Sequence, residues 1–167
     1  MPIHRGPVLA DTNAIIEAHR VGAWKALTSR YVVETVEKCF EETQTGFQKR
    51  RPEQNIDPRE LRASLHAVHS VSLVELAAVA LLPGGDVLDD GEQALWAHAL
   101  TRADAWVLVG PDAASMKFGH GQKRRDQLAC LGGLLSDIGH PSAAQLRGNH
   151  QKIWLDDVLH KLLMGLI

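Results

Sequence analysis

The sequence predicts an α/β fold: a three-layer α/β/α sandwich around a mainly parallel sheet. Three observations carry that expectation. Short apolar runs alternate with stretches of helical periodicity. Turn- and cap-forming residues separate them. The two clearest runs, Val8-Leu9-Ala10 and Trp106-Val107-Leu108-Val109, each lead straight into an acid and a helix start.

Taken in order, Val8-Leu9-Ala10 reads as a buried strand. Asp11-Thr12-Asn13 favours a turn and a helix N-cap, and Ala14-Ile15-Ile16 begins the helix. Tyr31-Val32-Val33 is a second short strand. Thr35 then reads as an N-cap for a helix in which Val36, Cys39, Phe40, Thr43 and Phe47 recur at helical spacing, closed at Thr45-Gly46. That helix carries Glu37, Glu41 and Glu42. The stretch from about 48 to 64 is the most polar and reads as an exposed insertion, with a helix starting at Asp57-Pro58. Val68 to Leu73 is a third strand or a lead into a helix, and Val74 to Leu82 is helical. Pro83-Gly84-Gly85-Asp86 is a turn, and Asp89-Asp90-Gly91-Glu92 starts the next helix. After Trp106 to Val109 come Gly110-Pro111-Asp112 and a helix from Ala113. The last segment, about 151 to 166, is an amphipathic helix.

The chain has 167 residues, which fits one domain spanning 1–167. A chain of this size buries roughly 70% of its unfolded surface, enough for a core of its own. Hydrophobic residues make up 45% and charged residues 23%, as in ordinary globular proteins. No apolar run reaches membrane-spanning length and the N-terminus has no signal-peptide pattern, so the expected location is the cytoplasm, without a membrane partner. Cys39 and Cys130 match no zinc or redox spacing and read as buried thiols in a reducing compartment. A net charge of −2 argues against bulk attraction to nucleic acid. It leaves room for an enzyme that gathers acids in one site.

Asp11 and Asp112 share one kind of position, just past the end of a strand. In an open parallel sheet, ligand sites form outside the carboxyl ends of the strands, so acids far apart in sequence converge there. Glu92, in the first turn of its helix, is placed to join them, with a glutamate of the Thr35 helix as a fourth. Such a cluster needs a cation, because like charges repel at short range. All-oxygen donors favour Mg2+ or Mn2+ over zinc. One ion or two both remain open. Singly, each acid is also explained as a helix cap or a favourable charge at a helix N-terminus.

In their order, these motifs resemble the PIN domain family over roughly residues 7 to 140. Val8 to Ile16 is similar to the family's opening strand, Asp-x-Asn and helix; Gly91-Glu92-Gln93-Ala94-Leu95 resembles the Gly-Glu helix start of one branch; Ala103 to Asp112 resembles the strand leading to the late acid. The resemblance implies a Mg2+- or Mn2+-dependent endoribonuclease with metal-holding, catalytic acids at Asp11, Glu42, Glu92 and Asp112, and with Asn13 steadying the first Asp. Glu42 is chosen because Glu42-Thr43-Gln44-Thr45-Gly46 resembles the family's Glu followed four residues later by Gly; Glu41 and Glu37 are the alternatives. It further implies an RNA substrate, a toxin–antitoxin pairing with an antitoxin protein as partner, and a homodimer. One departure is Gly110-Pro111, where the family usually has Thr, Ser or another Asp. Set against cleavage are a PIN-like module that binds RNA or protein without cutting, and a hydrolase of small phosphate esters.

Lys49, Arg50, Arg51 and Lys123, Arg124, Arg125 are candidate RNA-backbone contacts, with solvated loops as the plain alternative. His66 and His69 are spaced for one helical face but lack partner ligands nearby. The four tryptophans read as core or interface, and neither Ser115 nor Cys130 has a nucleophile-elbow context.

Overall fold

The structure, a computed structural model, describes residues 3–45 and 55–167. Gly46, Phe47 and the basic triplet Lys49, Arg50 and Arg51 lie outside the described residues, as does the expected insertion up to residue 54. Five short strands form one sheet: β1 (Pro7–Ala10), β2 (Val32–Val36), β3 (Ala67–His69), β4 (Val107–Val109) and β5 (Leu128–Ala129). Their order is β3-β2-β1-β4-β5 and every pairing is parallel.

Parallel neighbours need crossovers, and right-handed crossovers fix the layers. From β1 the chain steps one way through α1 (Thr12–Arg20) and α2 (Trp24–Arg30) to β2. It continues the same way through α3 (Glu37–Gln44) and α4 (Pro58–Ser64) to β3. It then reverses, through α5 (Leu73–Ala80) and α6 (Asp90–Ala99), to reach β4 on the far side of β1. The α7 helix (Ala113–Gly121) leads on to β5, followed by α8 (Leu131–Asp137) and α9 (Lys152–Leu163). Reversal with constant handedness puts the second set of helices on the opposite face. The result is a three-layer α/β/α sandwich whose switch point lies between β1 and β4.

Two core clusters, one per face, follow from strand alternation. Val8, Ala10 and Val109 pack with Ile15, Trp24, Leu27, Leu61 and Leu131. Leu9 and Leu108 point the other way, onto Leu95, Trp96, Met116, Phe118 and Leu155. The β1–β4 register, Val8 beside Val107 and Ala10 beside Val109, matches this division. Trp96 meets Trp106 and Phe118 edge-on and donates its indole N–H to Ser115 Oγ at 2.8 Å. Trp24 donates to Ser64 Oγ. Cys39 and Cys130 are buried and unpaired, and burial pushes both thiols' pKa up, which leaves them inert. Among the described residues no helix is long and apolar enough to cross a membrane.

Local expectations change in two places. Thr35 is not a helix cap: β2 runs on through Glu34-Thr35-Val36, and Thr35 Oγ1 donates to Ala10 O at 2.7 Å, stitching β2 to β1. The helix starts two residues later, at Glu37. His66 and His69 share no helix face, because His69 closes β3 and the His66 N–H donates to Val33 O. Leu128–Ala129 is a two-residue edge strand.

Candidate functional site

The switch point is where the candidate acids gather. Asp11 follows β1, and its N–H donates to Val109 O at 2.9 Å, so the β1–β4 ladder reaches one residue past the strand and fixes it. It occupies the N-cap of α1 in extended backbone and is buried. Burial and the neighbouring Asp89 and Glu42 charges push its carboxyl up to about 7, against the pull of the Thr12 and Asn13 backbone N–H groups. Asn13 thus supports Asp11 through its main chain, while its side chain is exposed and lines the adjoining cavity.

Glu42 reaches the same place from the last turn of α3. Its Oε1 accepts from Thr12 Oγ1 at 3.3 Å. It also lies against the start of α6, where a methyl group on Gly91 would stand 2.0 Å from that oxygen. A residue without a Cβ is what admits Glu42. Burial, and then Asp89, raise the Glu42 carboxyl above its ordinary value. The two alternative glutamates are directed elsewhere: Glu37 makes a two-point pair with Arg62, and Glu41 faces Lys38 at 3.8 Å.

Glu92 is the third residue of α6 and closes a capping box with Asp89. The Glu92 N–H donates to Asp89 Oδ1 at 2.8 Å, and the Asp89 N–H donates to Glu92 Oε2 at 3.2 Å. Burial, then the Asp112, Asp89 and Asp11 charges, push the Glu92 carboxyl up to about 8. Asp112 caps α7, its Oδ1 accepting from the N–H groups of Ala114 and Ser115 at 2.7 and 3.2 Å. Asp11, Glu42 and Asp89 line one cavity of about 330 Å3 with Thr12, Asn13, Ile16 and Thr45. Glu92, bonded to Asp89, and Asp112, whose charge acts on Glu92, are not among the residues that line it. Gly110, a departure from the family pattern, has a packing reason: a Cβ there would press on Asp11 Cβ at 3.2 Å.

The described bases do not flank these acids. Lys123, Arg124 and Arg125 follow α7 and precede β5, so a parallel sheet puts them at its amino edge, opposite the acids. Two of them serve the fold: Arg125 donates to Leu159 O at 2.7 Å, and Arg124 lies over Trp106 and bonds Gln127.

Sequence spacing gave no hint of a second polar cluster. Glu34 on β2, His69 on β3 and His98 on α6 have ligand atoms all within 4.8 Å of one another, a group able to hold a metal ion. Among the described residues it is the one group of three or more that meets this spacing; the switch-point acids do not. Arg102 occupies its centre. Its Nη1 donates to Glu34 Oε1 at 2.6 Å and lies 3.1 Å from His98 Nε2 and 3.4 Å from His69 Nε2. The same guanidinium grips Asp104 through Nε and Nη2 at 3.0 and 2.6 Å. Burial alone would raise the Glu34 carboxyl, but Arg102 and His69 more than offset it and hold it below its ordinary value.

Compared with models of protein families, with curated proteins and with solved structures, the chain matches none.

Proposed function

We propose that the switch-point acids hold a divalent cation, Mg2+ or Mn2+, and that the protein is a metal-dependent endoribonuclease of the PIN type. The observation that carries this reading is the convergence of Asp11, Glu42, Asp89 and Glu92 on one end of the sheet, with three of the four carboxyls held above their ordinary pKa. Carboxyls so placed lack a sufficient counter-charge, and an ion of matching charge supplies it. Their donors are all oxygen, which suits Mg2+ and Mn2+. Bound there, a divalent ion supplies Lewis acidity toward a phosphoryl oxygen and acidifies water.

The chain's own residues set the terms for substrate. Asp112 already takes the first N–H groups of α7, so that helix start offers a phosphate little. Asp11 likewise puts an acid, not a glycine-rich cradle, at the start of α1. These helix starts therefore offer a phosphate no free N–H cradle, and a cation held by the acids would supply the contact instead. Asp11, Glu42, Glu92 and Asp112 are the residues assigned to the ion, with Thr12 orienting Glu42. The RNA substrate, the toxin role, an antitoxin partner and a homodimer rest on the family resemblance.

A second reading is a PIN-like module that binds RNA or a protein without cutting. The placement of Lys123, Arg124 and Arg125 away from the acids favours it, since they cannot grip a strand lying over the site. Mn2+ calorimetry combined with an RNA cleavage assay separates the two. The ribonuclease binds Mn2+ and cuts; the module leaves RNA intact. Asp11→Asn is expected to lower metal-dependent cleavage by more than roughly 100-fold, the upper end of what removing a mere outer-shell partner costs. Its circular dichroism should stay that of the parent. Metal-dependent cleavage at the parental rate in Asp11→Asn would remove the proposal.

A further inference from the structure

We propose that Glu34, His69 and His98 form a second metal site, for Zn2+ or a similar transition-metal ion, which the ion enters by displacing the Arg102 guanidinium. This rests on the second cluster alone and is independent of ribonuclease activity.

The donor set is the first reason. Two imidazoles and one carboxylate are a three-ligand zinc set that leaves a fourth position open. Imidazole nitrogen favours zinc and its neighbours over Mg2+, so this site and the all-oxygen site select different ions. Geometry is the second. His69 and His98 stack with ring centres 3.9 Å apart and planes 16° from parallel, and their Nε2 atoms lie 3.4 and 3.1 Å from one atom, Arg102 Nη1. Donors around a tetrahedral zinc stand roughly 3.3 Å apart. The present atoms lie within 4.8 Å of one another, with His69 Nε2 and Glu34 Oε1 at 2.5 Å, so binding requires these two to turn apart and the stacked rings to turn out of parallel.

A third reason is that the point already holds positive charge. Arg102 Nη1 sits where the three ligand atoms converge, which makes it the group a metal ion replaces. Arg102 does not lose all its partners on leaving, because its Nε and Nη2 keep both bonds to Asp104. Bound there, the ion ties β2, β3 and α6 together.

Zn2+ added to protein without a histidine tag tests this by calorimetry and thermal melting. The Asp11→Asn background removes the first site from consideration. One Zn2+ per chain should bind, and His98→Ala should weaken it at least roughly tenfold. Arg102→Ala should bind Zn2+ more tightly than the parent and regain with Zn2+ the melting temperature it loses without it. Arg102→Ala/His98→Ala should regain nothing. Where a variant fails to fold, Co2+ added to the parent chain should give the visible absorption of tetrahedral imidazole ligation. Zn2+ affinity unchanged by His98→Ala, no gain from Arg102→Ala, or no such Co2+ band would each overturn the proposal.

Discussion

Asp11, just past the end of β1, and Glu34, on the adjacent β2, are buried alike, 5% and 4% exposed, yet their carboxyls shift in opposite directions. Around Glu34 the sheet supplies Arg102 and His69 at hydrogen-bond distance, and the carboxylate is satisfied. Around Asp11 it supplies Asp89 and Glu42 instead, and the charge is opposed. Burial therefore does not by itself decide what a buried acid is for. Glu34 has its positive charge in place, supplied by Arg102; the acids around Asp11 mark a place where something positive is missing, the usual electrostatic signature of a site.

Removing compensation from the satisfied side should have the largest effect on stability. Arg102→Ala leaves Glu34 buried beside two imidazoles without its cation. Breaking a fully buried pair costs about 3–5 kcal/mol; with Arg102 partly exposed, a loss of about 2–4 kcal/mol is expected in urea unfolding without added metal. Arg102→Met/Glu34→Gln should lose less than Arg102→Ala, because no charge is left stranded. A double variant as unstable as the single would put the loss in packing, not charge.

On the opposed side the sign reverses, and pH exposes it. Asp11 and Glu92 have folded pKa values of about 7 and 8, above those of the unfolded chain. The folded state then binds more protons than the unfolded state between about pH 4 and 8. Stability is greatest at the acid end of that window and falls as pH rises through 7 and 8. At pH 8, Asp11→Asn should be more stable than the parent by about 1–3 kcal/mol without metal, and at pH 4 the gap should close. Mn2+ should stabilise the parent at pH 8 and leave Asp11→Asn nearly unchanged. Parallel stability curves across this range would mean that Asp11 is already compensated.

The two regions were also unequally legible. Asp11 and Asp112 announce themselves because each comes after a short apolar run and before a helix, as in Ala10-Asp11-Thr12 and Val109-Gly110-Pro111-Asp112, and Glu92 because Asp89-Asp90-Gly91-Glu92 reads as a helix start. Strand alternation and crossover handedness then bring them to one edge. Glu42 rests on resemblance, and its bond to Thr12 and contact with Gly91 depend on the packing of α3 against α1 and α6, which no local pattern encodes. The Glu34 cluster was invisible for a related reason. Glu34, His69, His98 and Arg102 come from three elements and a loop, without a spacing that marks ligands. Polar Glu34-Thr35 inside a buried strand even read as the strand's end. Its partners, Arg102 and Ala10 O, make those residues tolerable in the sheet, and they are known only once the sheet is built.

Gly91→Ala probes the opposed side more gently. Helix propensity at the second position of α6 favours the change slightly, but the new methyl stands where Glu42 Oε1 lies. A carboxylate on a flexible side chain swings away at small cost, so the fold should stay within about 0.5 kcal/mol of the parent. Mn2+ affinity should fall roughly tenfold, about 1.4 kcal/mol, because one acid leaves the group. Glu41→Gln is the matching control: its side chain is exposed beside Lys38, and affinity should not change. Should Gly91→Ala bind Mn2+ as the parent does while Glu41→Gln weakens it, the acid of α3 that serves the ion is Glu41, and the contact between Glu42 and Gly91 is packing alone.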